Sequence, residues 1–249
     1  MDLSSLLHKY HEAVLISYLI VFFYYFFNIS IVELYSIVYN ITMENLNSNY
    51  IDSYINLQGL LSQQVNNQCN DDFLSFVRLM APSIVSDFRM GRHIEVISEK
   101  LQQVENGELK RLMVFLPPRS SKSVVCSKLF PAWYIGRNPE HELLTISHSD
   151  QLASDFGRSV RDIVNTEEFS KVFRGVALRS DVRAAGKWKT NQNGTYYAAG
   201  VRSQIAGRGA HVAILDDAMS EEDAISSAGR RFIKEWYPAG LRTRIMPDG

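Results

Sequence analysis

Residues 111–123, Arg-Leu-Met-Val-Phe-Leu-Pro-Pro-Arg-Ser-Ser-Lys-Ser, place an apolar run, a double proline and a Lys-Ser pair in direct succession. The run reads as a buried strand over 111–116, Pro117 and Pro118 stop it, and Ser123 onward can start a helix. The first N–H groups of such a helix have no intrahelical partner, and its positive end attracts anions, phosphate above all. In that setting Lys122 would reach the outer phosphates of a nucleotide as a point charge. The Ser123 hydroxyl would bind the Mg2+ that bridges them. The usual phosphate-loop spacing puts glycine at positions 116 and 121, where this chain has Leu116 and Ser121. A non-glycine residue held at positive φ costs on the order of 1 kcal/mol.

A second element bears on the same chemistry. Val212-Ala213-Ile214-Leu215-Asp216-Asp217 is an apolar run ending in two carboxylates. A buried strand that ends this way puts its acids at the carboxyl edge of a parallel sheet, where ligands bind in open α/β folds. Asp216 would hold magnesium through water, and Asp217 would orient or deprotonate the attacking water. The alternative is that the pair caps a helix begun near Ser220-Glu221-Glu222.

Several further segments carry a family resemblance. Gly91-Arg92-His93, Gly107-Glu108-Leu109-Lys110-Arg111-Leu112, Pro117 to Ser123 and Leu129-Phe130-Pro131-Ala132-Trp133-Tyr134 follow one another in the first half. Ile205-Ala206-Gly207-Arg208-Gly209-Ala210, Asp216-Asp217, Glu235-Trp236-Tyr237 and Leu241-Arg242-Thr243-Arg244 continue in order. Together they resemble the ATPase domain of the large terminase subunit of tailed bacteriophages, over roughly Asp72 to Gly249. The resemblance implies a motor that hydrolyses ATP to drive viral double-stranded DNA into a procapsid. It implies as partners the portal protein, the terminase small subunit and further copies of the chain in a ring, in the host cytoplasm. It also implies that Pro118, Arg119, Ser120, Ser121, Lys122 and Ser123 wrap the phosphates and that His93 contacts the adenine. Arg208 is the first candidate for an arginine finger that reaches a neighbouring subunit's γ-phosphate, and Arg119 competes for that role within its own subunit. The family continues with a further core strand, a coupling motif and a nuclease domain of RNase-H-like fold, so the sequence is expected to be the motor part of a longer protein and no nuclease site is assigned.

The front of the chain has a different character. Residues 13–32 run without a charge, long enough to span a bilayer core of about 30 Å. Met43 offers a second start, which would leave residues 1–42 as an upstream reading and remove the membrane segment. The expected organisation is therefore a hydrophobic leader over 1–42, a polar lead over 43–70 and the ATPase-like domain over 71–249. A membrane-anchored ATPase of another kind and an inactive ATPase-like assembly subunit are the competing readings.

Charge decides little, with 26 basic and 27 acidic residues. One stretch departs from that balance: Lys171, Arg174, Arg179, Arg183, Lys187 and Lys189, with Trp188 among them, face only Asp181. It reads as a solvated face or as a contact to phosphate backbone or a neighbouring subunit. Cys69 and Cys126 match no metal spacing and suit a reducing compartment. Helices are expected near 72–80, 93–105, 122–134, 149–165 and 221–237, and strands near 111–116, 142–147, 195–199 and 211–216. Their alternation argues an α/β fold with a mostly parallel sheet between helices. The strand at 142–147, between the two nucleotide motifs, suits the additional-strand class of P-loop NTPases.

Overall fold

The computed structural model describes residues 48–246, with side chains from residue 55 onward. The apolar stretch 13–32 and the alternative start at Met43 lie outside these residues. Among the described residues no helix is long and apolar enough to cross a membrane. The chain divides into a unit ending at Leu61 and a second running from Ser62. Helix α1 (Ser48–Asp71) begins in the first unit. All the other described elements belong to the second.

That second unit is an α/β fold whose helices arise from recognisable local signals. Helix α2 (Phe73–Ile84) starts where the Asp72 carboxylate accepts the Ser75 N–H at 2.6 Å. It buries Phe73, Phe76, Val77 and Met80, one helical face. Helix α3 (Arg92–Glu105) buries Ile94, Ile97 and Leu101 with the same periodicity. Helix α4 covers residues 122–137 and contains a π-helical turn at Val125–Leu129, in which the Phe130 N–H bonds the Val125 carbonyl. Pro131, which follows directly, has no N–H to give the ladder, and a widened turn at this point absorbs the missing bond.

A sheet of five strands forms the centre, in the order β2-β3-β4-β1-β5. These strands are β1 (Glu142–Ser147), β2 (Leu178–Ala184), β3 (Lys187–Thr190), β4 (Thr195–Gly200) and β5 (Val212–Leu215). Strand β1 pairs in parallel with both β4 and β5, while β3 runs antiparallel to β2 and β4. The sheet is thus mixed, with a parallel core of three strands and an antiparallel hairpin on one side. Helices α5 (Asp150–Val164) and α6 (Glu167–Val172) follow β1, and α7 (Glu221–Ile225) and α8 (Ser227–Trp236) follow β5.

The two sheet faces carry different cores. Leu143, Tyr196, Ala198 and Trp188 join the larger cluster, with Phe73, Phe76, Phe130 and Trp133. Leu144, Ile146, Ala199 and Val201 form a smaller cluster against Leu241, Phe232 and Trp236. The polar edges of three buried aromatic side chains find partners: Trp133 Nε1 donates to the Cys69 carbonyl at 3.0 Å, Trp188 Nε1 to the Gly157 carbonyl at 3.1 Å, and the Tyr196 hydroxyl to Thr145 Oγ1 at 2.8 Å.

Three expectations change. Residues 111–116 form no strand among the described residues: Leu112, Val114 and Leu116 pack on the larger cluster, while Met113 and Phe115 are 82% and 86% exposed. The period-two pattern is real, yet a strand also requires a hydrogen-bonding neighbour, and periodicity reports only faces. The helix expected over 221–237 is two helices, because Ser226 turns extended (φ −73°, ψ 131°) and its hydroxyl accepts the Gly229 N–H. The basic stretch 171–189 is not one charged face, since Trp188 is fully buried and Lys171 and Arg179 pair with Glu167 and Asp181.

Candidate functional site

The carboxyl ends of β1, β4 and β5 share one edge, because Ser147 pairs with Gly200 and Ile146 with Leu215. Asp216 and Asp217 leave β5 at that edge. The Asp216 N–H bonds the Ile146 carbonyl at 3.0 Å, and the His148 N–H bonds the Asp217 carbonyl at 2.8 Å. These bonds tie both acids to the end of β1. Asp217 adopts φ 48°, a left-handed conformation that a residue with a short polar side chain tolerates better than most. Neither acid caps the next helix: the Ser220 hydroxyl accepts the Asp223 N–H and does that itself.

Lys122 comes to the same place from the start of α4. Its Nζ lies 3.3 Å from Asp216 Oδ1 and 3.9 Å from Asp217 Oδ1. The Asp216 side chain is 6% exposed, that of Lys122 31% and that of Asp217 62%. One carboxylate is therefore buried behind the lysine and the other stands open. Ser127 completes the group by donating its hydroxyl to Asp216 Oδ2 at 2.6 Å inside the protein. Cys126, beside them, has its thiol pushed up to about 12, by burial first and then by the negative Asp216, with Lys122 opposing. It is a poor nucleophile at neutral pH.

The loop before Lys122 has the backbone its composition disfavours. Arg119 and Ser121 sit at φ 63° and φ 60°. Ser121 thus takes at position 121 the left-handed conformation for which glycine is the default residue. Position 116 makes no such demand. The Ser120 hydroxyl donates to the Pro117 carbonyl at 2.6 Å and closes the turn. Backbone N–H groups at the first turn of α4 are left without intrahelical acceptors, which is the arrangement that binds oxyanions.

The other expected residues are placed as follows. Pro118 and Arg119 are exposed on the loop, and Ser123 is half-buried in the first turn of α4. His93 is exposed in the first turn of α3, with its ring folded back against Gly91, where a Cβ would lie 2.8 Å from it. The structure does not bring Arg208 to Lys122: the Arg208 guanidinium stacks 3.7 Å over the centre of the Tyr197 ring, in a cleft at the starting edge of β1 and β4. Ser127 is the participant missing from the sequence reading. It stands four residues after Ser123 on the same helix, so helical spacing alone could have pointed to it.

Among the described residues no group of three or more His, Cys, Asp and Glu side chains could hold a metal ion. A single carboxylate with a hydroxyl suits Mg2+, which is held through one or two carboxylates together with substrate phosphates and water. Comparison with protein-family models gives no match, and comparison with curated proteins gives none.

Proposed function

We propose that this chain binds and hydrolyses ATP at the group formed by the 117–123 loop, Lys122, Asp216 and Asp217. The observation that carries the reading is the convergence of Lys122 and the two acids of β5 across 94 residues of sequence, at 3.3 and 3.9 Å. An apolar strand ending in acids and a left-handed loop feeding a helix meet at the carboxyl edge of a parallel core. That edge is where open α/β folds place their ligands.

In this reading the free N–H groups of the loop and of the first turn of α4 receive phosphate oxygens, and Lys122 moves from the carboxylates to the outer phosphates. Ser123 and Asp216 are the residues that would hold Mg2+, which supplies charge neutralisation between the phosphates. Ser127 keeps Asp216 aimed by its short hydrogen bond. Asp217 is open to water, and with its backbone held by His148 it orients the attacking water and takes its proton. Arg119 would contact phosphate within its own chain. Arg208 faces another edge of the sheet and could serve only a neighbouring copy.

The sequence resemblance to large terminase subunits extends this proposal. The hydrolysis would then power translocation of viral double-stranded DNA into a procapsid, in a ring of copies on the portal protein with the small terminase subunit, in the host cytoplasm. The fold would be a P-loop NTPase of the additional-strand class, and His93 would contact the adenine. The test is steady-state, magnesium-dependent release of phosphate from ATP by the full chain. Lys122→Ala and Asp217→Asn should each lower turnover on the order of 100-fold or more. Turnover unchanged in Lys122→Ala would remove the site assignment.

A further inference from the structure

Away from Lys122, a cleft of about 150 Å3 opens at the starting edge of β1 and β4. Strand register builds it. Lys187 pairs with Tyr197 and Lys189 with Thr195, so these side chains stand together on one face, while Trp188 and Thr190 go into the core. Glu142 pairs with Thr195 from the other side and brings the cleft its one carboxylate. Arg208 closes it, stacked on Tyr197 at 3.7 Å. Stacking occupies the flat face of the guanidinium and leaves its N–H edge able to donate.

Three cations therefore share a concave, half-buried space with one acid. Among the described residues none of Lys187, Lys189 and Arg208 forms an ion pair. Asp181 feels the charge of Lys189 but is already bonded by Arg179. Like charges gathered this way repel one another, and an anion with several oxygens relieves the repulsion while using all three sets of donors. The cleft is roomy enough for a phosphate group together with some of its waters. From Tyr197 to Gly200 the strand advances roughly 10 Å, so this cleft is separate from the edge that carries Asp216.

We propose that the cleft of Lys187, Lys189 and Arg208 is a second phosphate-binding site, which takes phosphate groups of a polyphosphate or phosphodiester chain without Lys122. The experiment titrates inorganic tripolyphosphate, without magnesium, into the full chain carrying Lys122→Ala. Saturable binding should persist. Adding Lys187→Gln with Lys189→Gln, or Arg208→Gln alone, should weaken it by about tenfold or more. Lys234→Gln, on the exposed side of α8, should leave it within about twofold of the parent. Glutamine keeps most of the aliphatic stem, and Arg208 lies on a loop, so a thermal melt should show both variants folded.

A second arm uses duplex DNA of about 20 base pairs at several salt concentrations. If the cleft grips a phosphodiester backbone, the double lysine substitution reduces the slope of log affinity against log salt by up to about 2. If it grips the tail of a nucleotide, only the tripolyphosphate titration changes. Either result supports the site and identifies its source. Two results overturn it: no tripolyphosphate binding in the Lys122→Ala chain, or binding that all the cleft variants leave intact. Because the background already lacks Lys122, the outcome does not depend on where ATP is hydrolysed.

Discussion

Ser127→Ala should be the most damaging single-atom change in the candidate site that leaves Lys122 and both acids in place. Ser127 donates to Asp216 at 2.6 Å, and both residues are buried. A hydrogen bond to an ionised acceptor contributes about 1.5–3 kcal/mol, and its loss leaves a buried carboxylate oxygen without a donor. The neighbouring Lys122 does not compensate. At 3.3 Å its gross attraction to Asp216 is about 5 kcal/mol for an effective dielectric constant near 20, but desolvation of both charges offsets most of that. We expect Ser127→Ala to lower unfolding free energy by about 2 kcal/mol, or Tm by roughly 4–8 °C. Urea denaturation is the assay, with Ser123→Ala as the comparison, which should stay within about 0.5 kcal/mol in the absence of nucleotide. In an Asp216→Ala background the Ser127 substitution should cost much less, giving a coupling energy above about 1 kcal/mol. A loss under about 0.5 kcal/mol in Ser127→Ala, or no coupling, would refute the claim that this hydroxyl holds Asp216.

Other substitutions probe the loop, the packing and the acid limit. Ser121→Gly should be neutral or stabilising by up to about 1 kcal/mol, because φ 60° suits glycine, whereas β-branched Ser121→Val should destabilise by more than about 1 kcal/mol; thermal melts decide both. Gly157→Ala should cost about 1–3 kcal/mol in urea unfolding, since a Cβ there would lie 2.2 Å from the Ala185 carbonyl oxygen, which is backbone and cannot swing away. The Ser203 hydroxyl, and after it the Gly200 N–H, hold the Asp150 carboxyl below the ordinary aspartate range. A depressed folded value gives stability that is present above the unfolded value of about 3.9 and is lost as pH falls through the folded one. Ser203→Ala should therefore flatten the fall in stability as pH drops below about 4, and an unchanged acid limb would contradict the assignment.

The parts legible in the sequence are those whose signal is local. Glu142–Ser147 and Thr195–Gly200 are apolar runs bounded by turn residues, and the structure puts strands there. Ser149 marks the start of α5, where its hydroxyl accepts the Leu152 N–H at 3.3 Å. The hairpin β2–β3 was less legible, because charged residues on its open face look like a solvated charge run; the alternation of Lys187, Trp188, Lys189 and Thr190 is nonetheless a strand pattern. For residues 111–116 the same alternation was present without a ladder, a fact about neighbours that no local pattern contains. In the site, Lys122 with Asp216 and Asp217 followed from residue type and position. The Ser127 bond and the seat of Arg208 on Tyr197 did not, because each joins residues through tertiary packing.

The central claim is that the 117–123 loop and the acids of β5 form one nucleotide phosphate site. Equilibrium titration of the full chain with a fluorescent ATP analogue, with and without magnesium, tests it directly. Saturable, magnesium-dependent binding is expected, weakening by about tenfold or more in Lys122→Ala and in Asp216→Ala. Binding that ignores magnesium and both substitutions, or no saturable binding by the folded chain, would contradict it.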